Sequence, residues 1–329
     1  MVADVITREY GFVTSAAADW TMMQSSMALS IVFASFGLSA SLLGKWQLKV
    51  GARKSIAYAA GAFGSGLALG SLGIYLHSLP LVLGGYGVLG GLGIGLGYNP
   101  PIQALLQWFP DKKGFASGIA IAGFGSGALL FTPAVQYLTK KFAKMPEYLG
   151  AASDFTTKTI DGKLFADVNG VLVEVVQAGA SELAKIPYTL QEGLYVVGSG
   201  STGAMEALGT IGAVYFASMV ASSLMMKDPH PSYSVAAPAQ APATGAVAQP
   251  AAPPVQLRDY SVEEATRTKQ FGLLGVTFFC LATGGMGMFS VAKPMMSEVF
   301  SAAMPAIVTS AFAAQFVLML SAGNLGKPS

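Results

Sequence analysis

Two long apolar segments joined by one short polar turn constrain the fold of this chain more than any other feature. Both lie within residues 84–138, and the turn between them carries Asp111, Lys112 and Lys113. Each segment can supply the roughly 20 apolar residues that a helix needs to cross the core of a bilayer. The stretch therefore predicts a hairpin of two membrane-spanning helices.

Glycines recur at helical spacing in both segments. They form the runs Gly87, Gly91 and Gly95, then Gly114 and Gly118, and Gly123 and Gly127. Small residues four apart leave a smooth stripe on which a second helix can approach closely. The pattern predicts close helix contacts on both arms of the hairpin.

A polar and proline-rich cluster follows the first glycine run, at Tyr98, Asn99, Pro100 and Pro101. Proline cannot donate a backbone hydrogen bond and disfavours helical geometry in the residue before it. We therefore expect the helix to be interrupted here. Irregular backbone at this depth is tolerated only against protein or a wet cavity, so we interpret the hairpin as part of a solute path.

Composition indicates a membrane protein. Of the 329 residues, 53% are hydrophobic and 11% are charged, whereas soluble domains carry about 25% charged residues. The net charge of +2 gives no reason to expect a nucleic-acid partner. His77, His230 and the lone Cys280 are far apart in sequence, so we expect no enzyme, cofactor or metal site.

The apolar pattern predicts seven spans, and its longest interruption predicts an exposed domain. The spans are 21–44, 55–76, 79–109, 114–138, 203–226, 271–292 and 304–323. Between the fourth and fifth, Asp161-Gly162 and Asn169-Gly170 are typical of tight hairpin turns. Alternating valines at 171–176 favour a strand, so we expect a small αβ insertion.

Positive charge sets the expected orientation. The loop between the first two spans and the loop between the third and fourth carry lysine and arginine, whereas the loop between the second and third carries neither. The positive-inside rule places the two basic loops in the cytoplasm and the insertion outside. The basic residues are Lys45, Lys49, Arg53, Lys54, Lys112 and Lys113.

Two stretches carry a resemblance to a known family. Gly44, Gly51, Arg53 and Lys54 resemble the loop between the second and third helices of the major facilitator superfamily, with Lys49 where that family has an aspartate. The run WFPDKKGFASG at 108–118, with AGFG at 122–125, is similar to the oxalate/formate antiporter-like, monocarboxylate transporter-like branch. AKPMM at 292–296 and PAIVT at 305–309 resemble its seventh-to-eighth helix region.

The resemblance implies an all-α polytopic membrane protein with an incomplete major facilitator fold. The seven spans would be family helices two to eight, as in a truncated gene product. The expected parts are an N-terminal half at 1–138, an extracytoplasmic insertion at 139–200, a further membrane helix at 201–226, a disordered cytoplasmic Ala/Pro-rich linker at 227–270, and the start of a C-terminal half at 271–329.

The resemblance also implies a function. The chain would move a small organic anion, a mono- or dicarboxylate, across a membrane by alternating access. Its partners would be that anion and the lipid bilayer. The alternative is a non-transporting membrane protein, either an inactive fragment or an interaction subunit that presents residues 139–200.

Candidate substrate contacts lie on the hairpin. Asn99, Gln103 and Gln107 are four apart and share one helix face, which suggests a polar strip along the path with Tyr98 as an aromatic wall. They could instead satisfy backbone groups freed by the prolines, or bond neighbouring helices. Further candidates are Phe124, Gln136 and Gln315.

Loop and terminal charges suggest gating and coupling roles. In the resembling family such loops form a cytoplasmic gate, which here would comprise Gly44, Lys49, Gly51, Arg53, Lys54, Asp111, Lys112 and Lys113. Anchoring by positive charge alone is the alternative. Glu206, at the outer end of the fifth span, is a candidate for proton coupling or a solvated carboxylate. Lys293 could attract an anion or snorkel to the interface.

Overall fold

The computed structural model describes residues 6–227, except 111, 169, 184, 185 and 187, together with 264, 266–273 and 275–277. Two compact units divide the chain, and all elements described below belong to the first, which contains Met1–Val235. The predicted seventh span, most of the sixth and most of the linker at 227–270 lie outside the described residues. The proposed domain boundaries therefore remain predictions.

Long helices dominate the described part of the chain. They are α1 (Met22–Leu42), the short α2 (Gly44–Val50), α3 (Ala52–Tyr75), α4 (Leu79–Val82), α5 (Gly91–Trp108), α6 (Lys113–Phe142), the short α7 (Ala180–Leu183) and α8 (Ala204–Met225). A π-helical stretch, Leu83–Gly90, joins α4 to α5. We call the continuous helical segment Leu79–Trp108 the third rod.

Four described segments are long and apolar enough to cross a membrane: Met22–Leu42, Ala52–Tyr75, Leu79–Trp108 and Ala204–Met225. They coincide with predicted spans one, two, three and five. The predicted fourth span lies within α6, which is a single helix of 30 residues. The helical, polytopic fold class expected from the sequence is confirmed for this part of the chain.

Glycines on the third rod let α1 approach it closely. A Cβ atom added to Gly91 would lie 2.5 Å from the backbone oxygen of Val32, and one added to Gly95 would lie 2.7 Å from that of Phe36. Neither position has room for a side chain, because real Cβ atoms do not approach so closely. The predicted contact stripe is thus confirmed on this arm of the hairpin.

Helix α3 crosses the π-helical stretch in the same manner. A Cβ atom on Gly66 would lie 2.6 Å from the Gly90 nitrogen, and one on Gly85 would lie 2.8 Å from the Gly70 nitrogen. Glycines thus face glycines, and the two backbones touch. π-Helical turns are rare and often occur at functional sites.

The predicted stripe on α6 makes no close contact within the described part of the chain. A Cβ atom added to Gly114, Gly118, Gly123 or Gly127 would meet no described atom within 4 Å. Close helix contact on this arm therefore stays a prediction.

The expected interruption at the prolines is wrong. Helix α5 continues through Pro100 and Pro101 to Trp108. Pro100 has no N–H to offer the Leu96 carbonyl, and the hydroxyl of Ser55 on α3 donates to that oxygen instead at 3.1 Å. A neighbouring helix therefore replaces the missing bond, and the helix does not need to break.

Residues between α6 and α8 form an antiparallel five-stranded sheet. Its strands are β1 (Tyr148–Gly150), β2 (Thr157–Ile160), β3 (Lys163–Val168), β4 (Val171–Ala178) and β5 (Gly193–Val196), in the order β1-β5-β4-β3-β2. Ile160 pairs with Lys163, and Asp161 and Gly162 have φ values of 50° and 75°, as a tight primed turn requires. The predicted small insertion is confirmed as a folded domain.

The residues before α1, 6–21, connect the sheet to the membrane helices; we call them the N-terminal segment. Phe12, Val13 and Ala16 are buried against the sheet residues Val176 and Tyr195. Ile6 and Trp20 pack against Ile74, Val82 and Ala204 at the helix ends nearest the sheet. The segment therefore contacts the sheet with one part and the helix ends with another.

We expect Gly91→Ala to lower the thermal unfolding midpoint of the protein in detergent. The added methyl group overlaps the α1 backbone, and overpacking of this kind costs about 1–3 kcal/mol. Gly123→Ala is the matched control, because its methyl group meets no described atom. Equal midpoints for the two variants would contradict the α1 contact.

We expect Ser55→Ala to destabilise the protein by about 0.6 to 1.7 kcal/mol, the range of interhelical hydrogen bonds in membranes. The substitution leaves the Leu96 carbonyl without the donor that replaces the Pro100 N–H. Ser65→Ala is the control, because that exposed hydroxyl bonds only the Ala62 carbonyl of its own helix. Denaturant unfolding of both variants would measure the difference.

Candidate functional site

The three carboxamides predicted on one helix face line one cavity. Asn99, Gln103 and Gln107 face a space of about 400 Å³ at the end of the third rod that lies opposite the sheet. Across it lie Gly44, Gln47, Leu48, Gly51 and Ala52. The structure therefore brings the predicted polar strip against the loop that was predicted to be a gate.

None of these three carboxamides makes a side-chain hydrogen bond within the described part of the chain. Backbone carbonyls near the prolines are bonded by Ser55 and Gln47 from other elements. Each carboxamide offers two N–H donors and one carbonyl acceptor. The cavity wall thus has free capacity for both kinds of hydrogen bond.

Gln47 fixes the opposite wall of the cavity, and the sequence interpretation missed it. Its side chain is buried at 5% exposure, and its Nε2 donates to the Gly95 carbonyl of the third rod at 3.1 Å. The only sequence signal was a glutamine within a loop otherwise made of basic and apolar residues. Its role depends on α2 folding back against the rod, which a local pattern does not predict.

The predicted gate loop is a short helix with a glycine hinge. Helix α2 ends at Val50, and Gly51 follows it with a φ of 86°, in the left-handed region that favours glycine. Helix α3 begins at the next residue, Ala52. Lys49, Arg53 and Lys54 are exposed beside it, as are Lys112 and Lys113 at the other basic loop. Asp111 lies outside the described residues.

Tyr98 belongs to an aromatic cluster rather than to the cavity wall. Its ring makes edge-to-face contacts with Phe36 of α1 and Phe124 of α6, each with centroids 5.4 Å apart. Successive helical residues point about 100° apart, so Tyr98 and Asn99 face different neighbours. Two of the predicted aromatic residues therefore meet each other, on a separate face from the carboxamides.

The other predicted residues are not brought to this place. Gln136 follows Phe124 by 12 residues on α6, a rise of about 18 Å. Glu206 lies in the first turn of α8, at the helix end nearest the sheet. Gln315 and Lys293 lie outside the described residues. Among the described residues, no cluster of three or more His, Cys, Asp or Glu side chains could hold a metal ion.

The geometry defines a class of protein: a multi-pass helical membrane protein with a polar cavity at one end of a closely packed helix bundle. Residues 1–146 match the family described as Major Facilitator Superfamily. The match covers less than half of the chain, so it is the N-terminal part that is similar to that superfamily.

Curated relatives of parts of this chain are named as carriers of carboxylates. Residues of this chain are 41% identical over 112 positions to "Apicoplast pyruvate carrier 1" of Toxoplasma gondii, covering 34% of this chain and 20% of that protein. "Monocarboxylate transporter 12" of Rattus norvegicus is 43% identical over 79 positions, covering 24% and 16%. "Oxalate:formate antiporter" of Oxalobacter formigenes is 37% identical over 81 positions, covering 25% and 18%.

These matches confirm the resemblance to the monocarboxylate and oxalate/formate branch. The matching part of the chain spans a fifth or less of the length of each of these three relatives. They also agree with an integral, multi-pass location in a membrane, which the four apolar helices support independently.

We expect Gln47→Leu to loosen helix α2. The variant loses the hydrogen bond to the Gly95 carbonyl, and a bond of about 1 kcal/mol corresponds to roughly fivefold faster local opening. Amide hydrogen exchange of residues 44–50 would measure it. Gln107→Leu is the control, because it removes a cavity carboxamide that holds no backbone group. Unchanged exchange in Gln47→Leu would contradict a stabilising role for the hydrogen bond from Gln47 to the Gly95 carbonyl.

Proposed function

We propose that the chain forms part of a carrier that moves a small organic anion, a mono- or dicarboxylate, across a membrane by alternating access. The three relatives are named for pyruvate, monocarboxylates, and oxalate with formate. Their common chemistry is a short molecule with at least one carboxylate. The proposal extends that chemistry to this chain.

The observation that carries the proposal is the carboxamide-lined cavity. Its volume of about 400 Å³ falls within the range of small-molecule sites. Amide N–H groups can donate to carboxylate oxygens, and Asn99, Gln103 and Gln107 have no described partner for theirs. None of the described residues that line the cavity is charged. Hydrogen bonds from neutral donors are weaker than those from charged ones, so the anion would be held and then released.

The same cavity suggests how the cytoplasmic side would open. Helix α2 forms one wall of the cavity, with Gly44 as its first residue and Gly51 directly after its end. The hydrogen bond from Gln47 to Gly95 holds it against the third rod. Breaking that bond would let α2 turn about Gly51 and widen the entrance. We assign the exposed lysines and arginines of the two basic loops to attracting anions toward this entrance.

Uptake by proteoliposomes that contain this chain tests the proposal. We expect accumulation of labelled pyruvate or oxalate above that of empty vesicles, and a severalfold lower rate for Gln103→Leu. Gln177→Leu is the matched control, because Gln177 is an exposed residue of strand β4, remote from the cavity.

Uptake equal to that of empty vesicles would reject the carrier function for this chain. It would favour the second candidate, a non-transporting membrane protein that presents the sheet domain. The observation behind that candidate is that residues 148–196 fold into a five-stranded sheet of their own.

A further inference from the structure

Two glutamates lie where the N-terminal segment meets the start of helix α8. Glu9 belongs to the segment, and Glu206 lies in the first turn of α8. The hydroxyls of Ser201 and Thr202, just before that helix, both donate to the Glu9 carboxylate, one to each oxygen; the Ser201 distance is 3.2 Å. Glu9 therefore fastens the segment to the helix start.

Glu206 is only partly satisfied at this place. Its Oε2 atom is buried and has no hydrogen-bond partner among the described residues. It lies close enough to Glu9 for its negative charge to act on that carboxyl. A buried carboxylate oxygen without a donor costs free energy, and a second carboxylate nearby adds repulsion.

No described cation forms an ion pair with either glutamate. Arg8 is the neighbour of Glu9 in the segment, and Lys144 pairs with Ser201 through its backbone while its side chain is exposed. The remaining acidic group nearby is Asp19, whose carboxylate accepts the backbone N–H groups of three residues of the segment at 2.8 to 3.0 Å.

We propose that Glu9 is a proton-binding residue that locks the N-terminal segment onto the start of helix α8. A proton bound by Glu9 removes a partly buried negative charge on which the nearby Glu206 carboxylate acts. The hydroxyls of Ser201 and Thr202 hold the Glu9 carboxyl in place.

The electrostatics of Glu9 agree with this role. Burial raises the pKa of the Glu9 carboxyl, the Thr202 and Ser201 hydroxyls lower it, and the charges of Glu206 and Asp19 raise it again. The net shift is upward, so the folded segment binds the proton more tightly than the unfolded chain does. The segment is therefore held most firmly at low pH and loses stability as pH rises through the folded-state pKa of Glu9.

One histidine close by must be separated from Glu9 in any experiment. The His77 ring stacks on Trp20 with ring centroids 4.5 Å apart, and its centroid lies 4.3 Å from that of Tyr10. Its Nε2 lies 2.8 Å from the Ala18 carbonyl oxygen. Histidine ordinarily titrates near pH 6.5, inside the useful range. His77 has a φ of 47°, which asparagine tolerates, so His77→Asn removes the imidazole with little strain.

Amide hydrogen exchange of residues 10–16 tests the proposal, using the full chain in lipid nanodiscs between pH 8 and pH 6. After correction for intrinsic rates, we expect severalfold slower exchange at pH 6 in the unmodified chain. We expect Glu9→Gln to be slow at both pH values, because the amide carries no charge and can still bond the hydroxyls. Glu206→Gln should reduce the pH dependence in the same way.

His77→Asn and Glu192→Gln, the latter an exposed glutamate in the sheet domain, should keep the full pH dependence. Exchange that does not change with pH in the unmodified chain would overturn the proposal. So would a dependence that survives in Glu9→Gln and Glu206→Gln, or one that disappears only in His77→Asn. A Glu9→Gln variant that fails to fold leaves Glu206→Gln as the deciding measurement.

Discussion

Backbone contact between glycine-bearing helices determines how the rest of this structure is arranged. The third rod touches α1 at Gly91 and Gly95 and α3 at Gly85 and Gly90. At such distances short polar side chains reach carbonyls on the neighbouring helix. Ser39, Gln47 and Ser55 all donate to the rod, at Leu92, Gly95 and Leu96 respectively. The close approach of the helices is therefore what brings these side chains within hydrogen-bonding distance of the rod.

Helix positions and tight turns followed from the sequence, because both depend on local properties. The first five predicted spans match the described helices within a few residues, and Asp161-Gly162 forms the expected turn. The predicted proline interruption was wrong because whether Pro100 breaks a helix depends on Ser55, which is 45 residues away. Whether a glycine stripe makes a close contact depends likewise on a partner helix elsewhere in the chain.

The candidate site was predictable only on one side. Helical spacing put Asn99, Gln103 and Gln107 on a common face, and the structure gives that face a cavity. Gln47 supplies the opposite wall through a contact 48 residues along the chain. Tyr98 was grouped with the carboxamides because of adjacency in sequence, yet adjacent residues of a helix point to different neighbours. Pairing across helices carries the information that the sequence interpretation lacked.

The N-terminal segment has a mechanical consequence for the first membrane helix. Helix α1 begins at Met22, directly after Thr21, which caps it together with Gln24. The segment ends at that cap, so no long loop separates the sheet from α1. Phe12 and Val13 anchor the other part of the segment in the sheet. A displacement of the sheet would therefore be transmitted to α1 through this short segment.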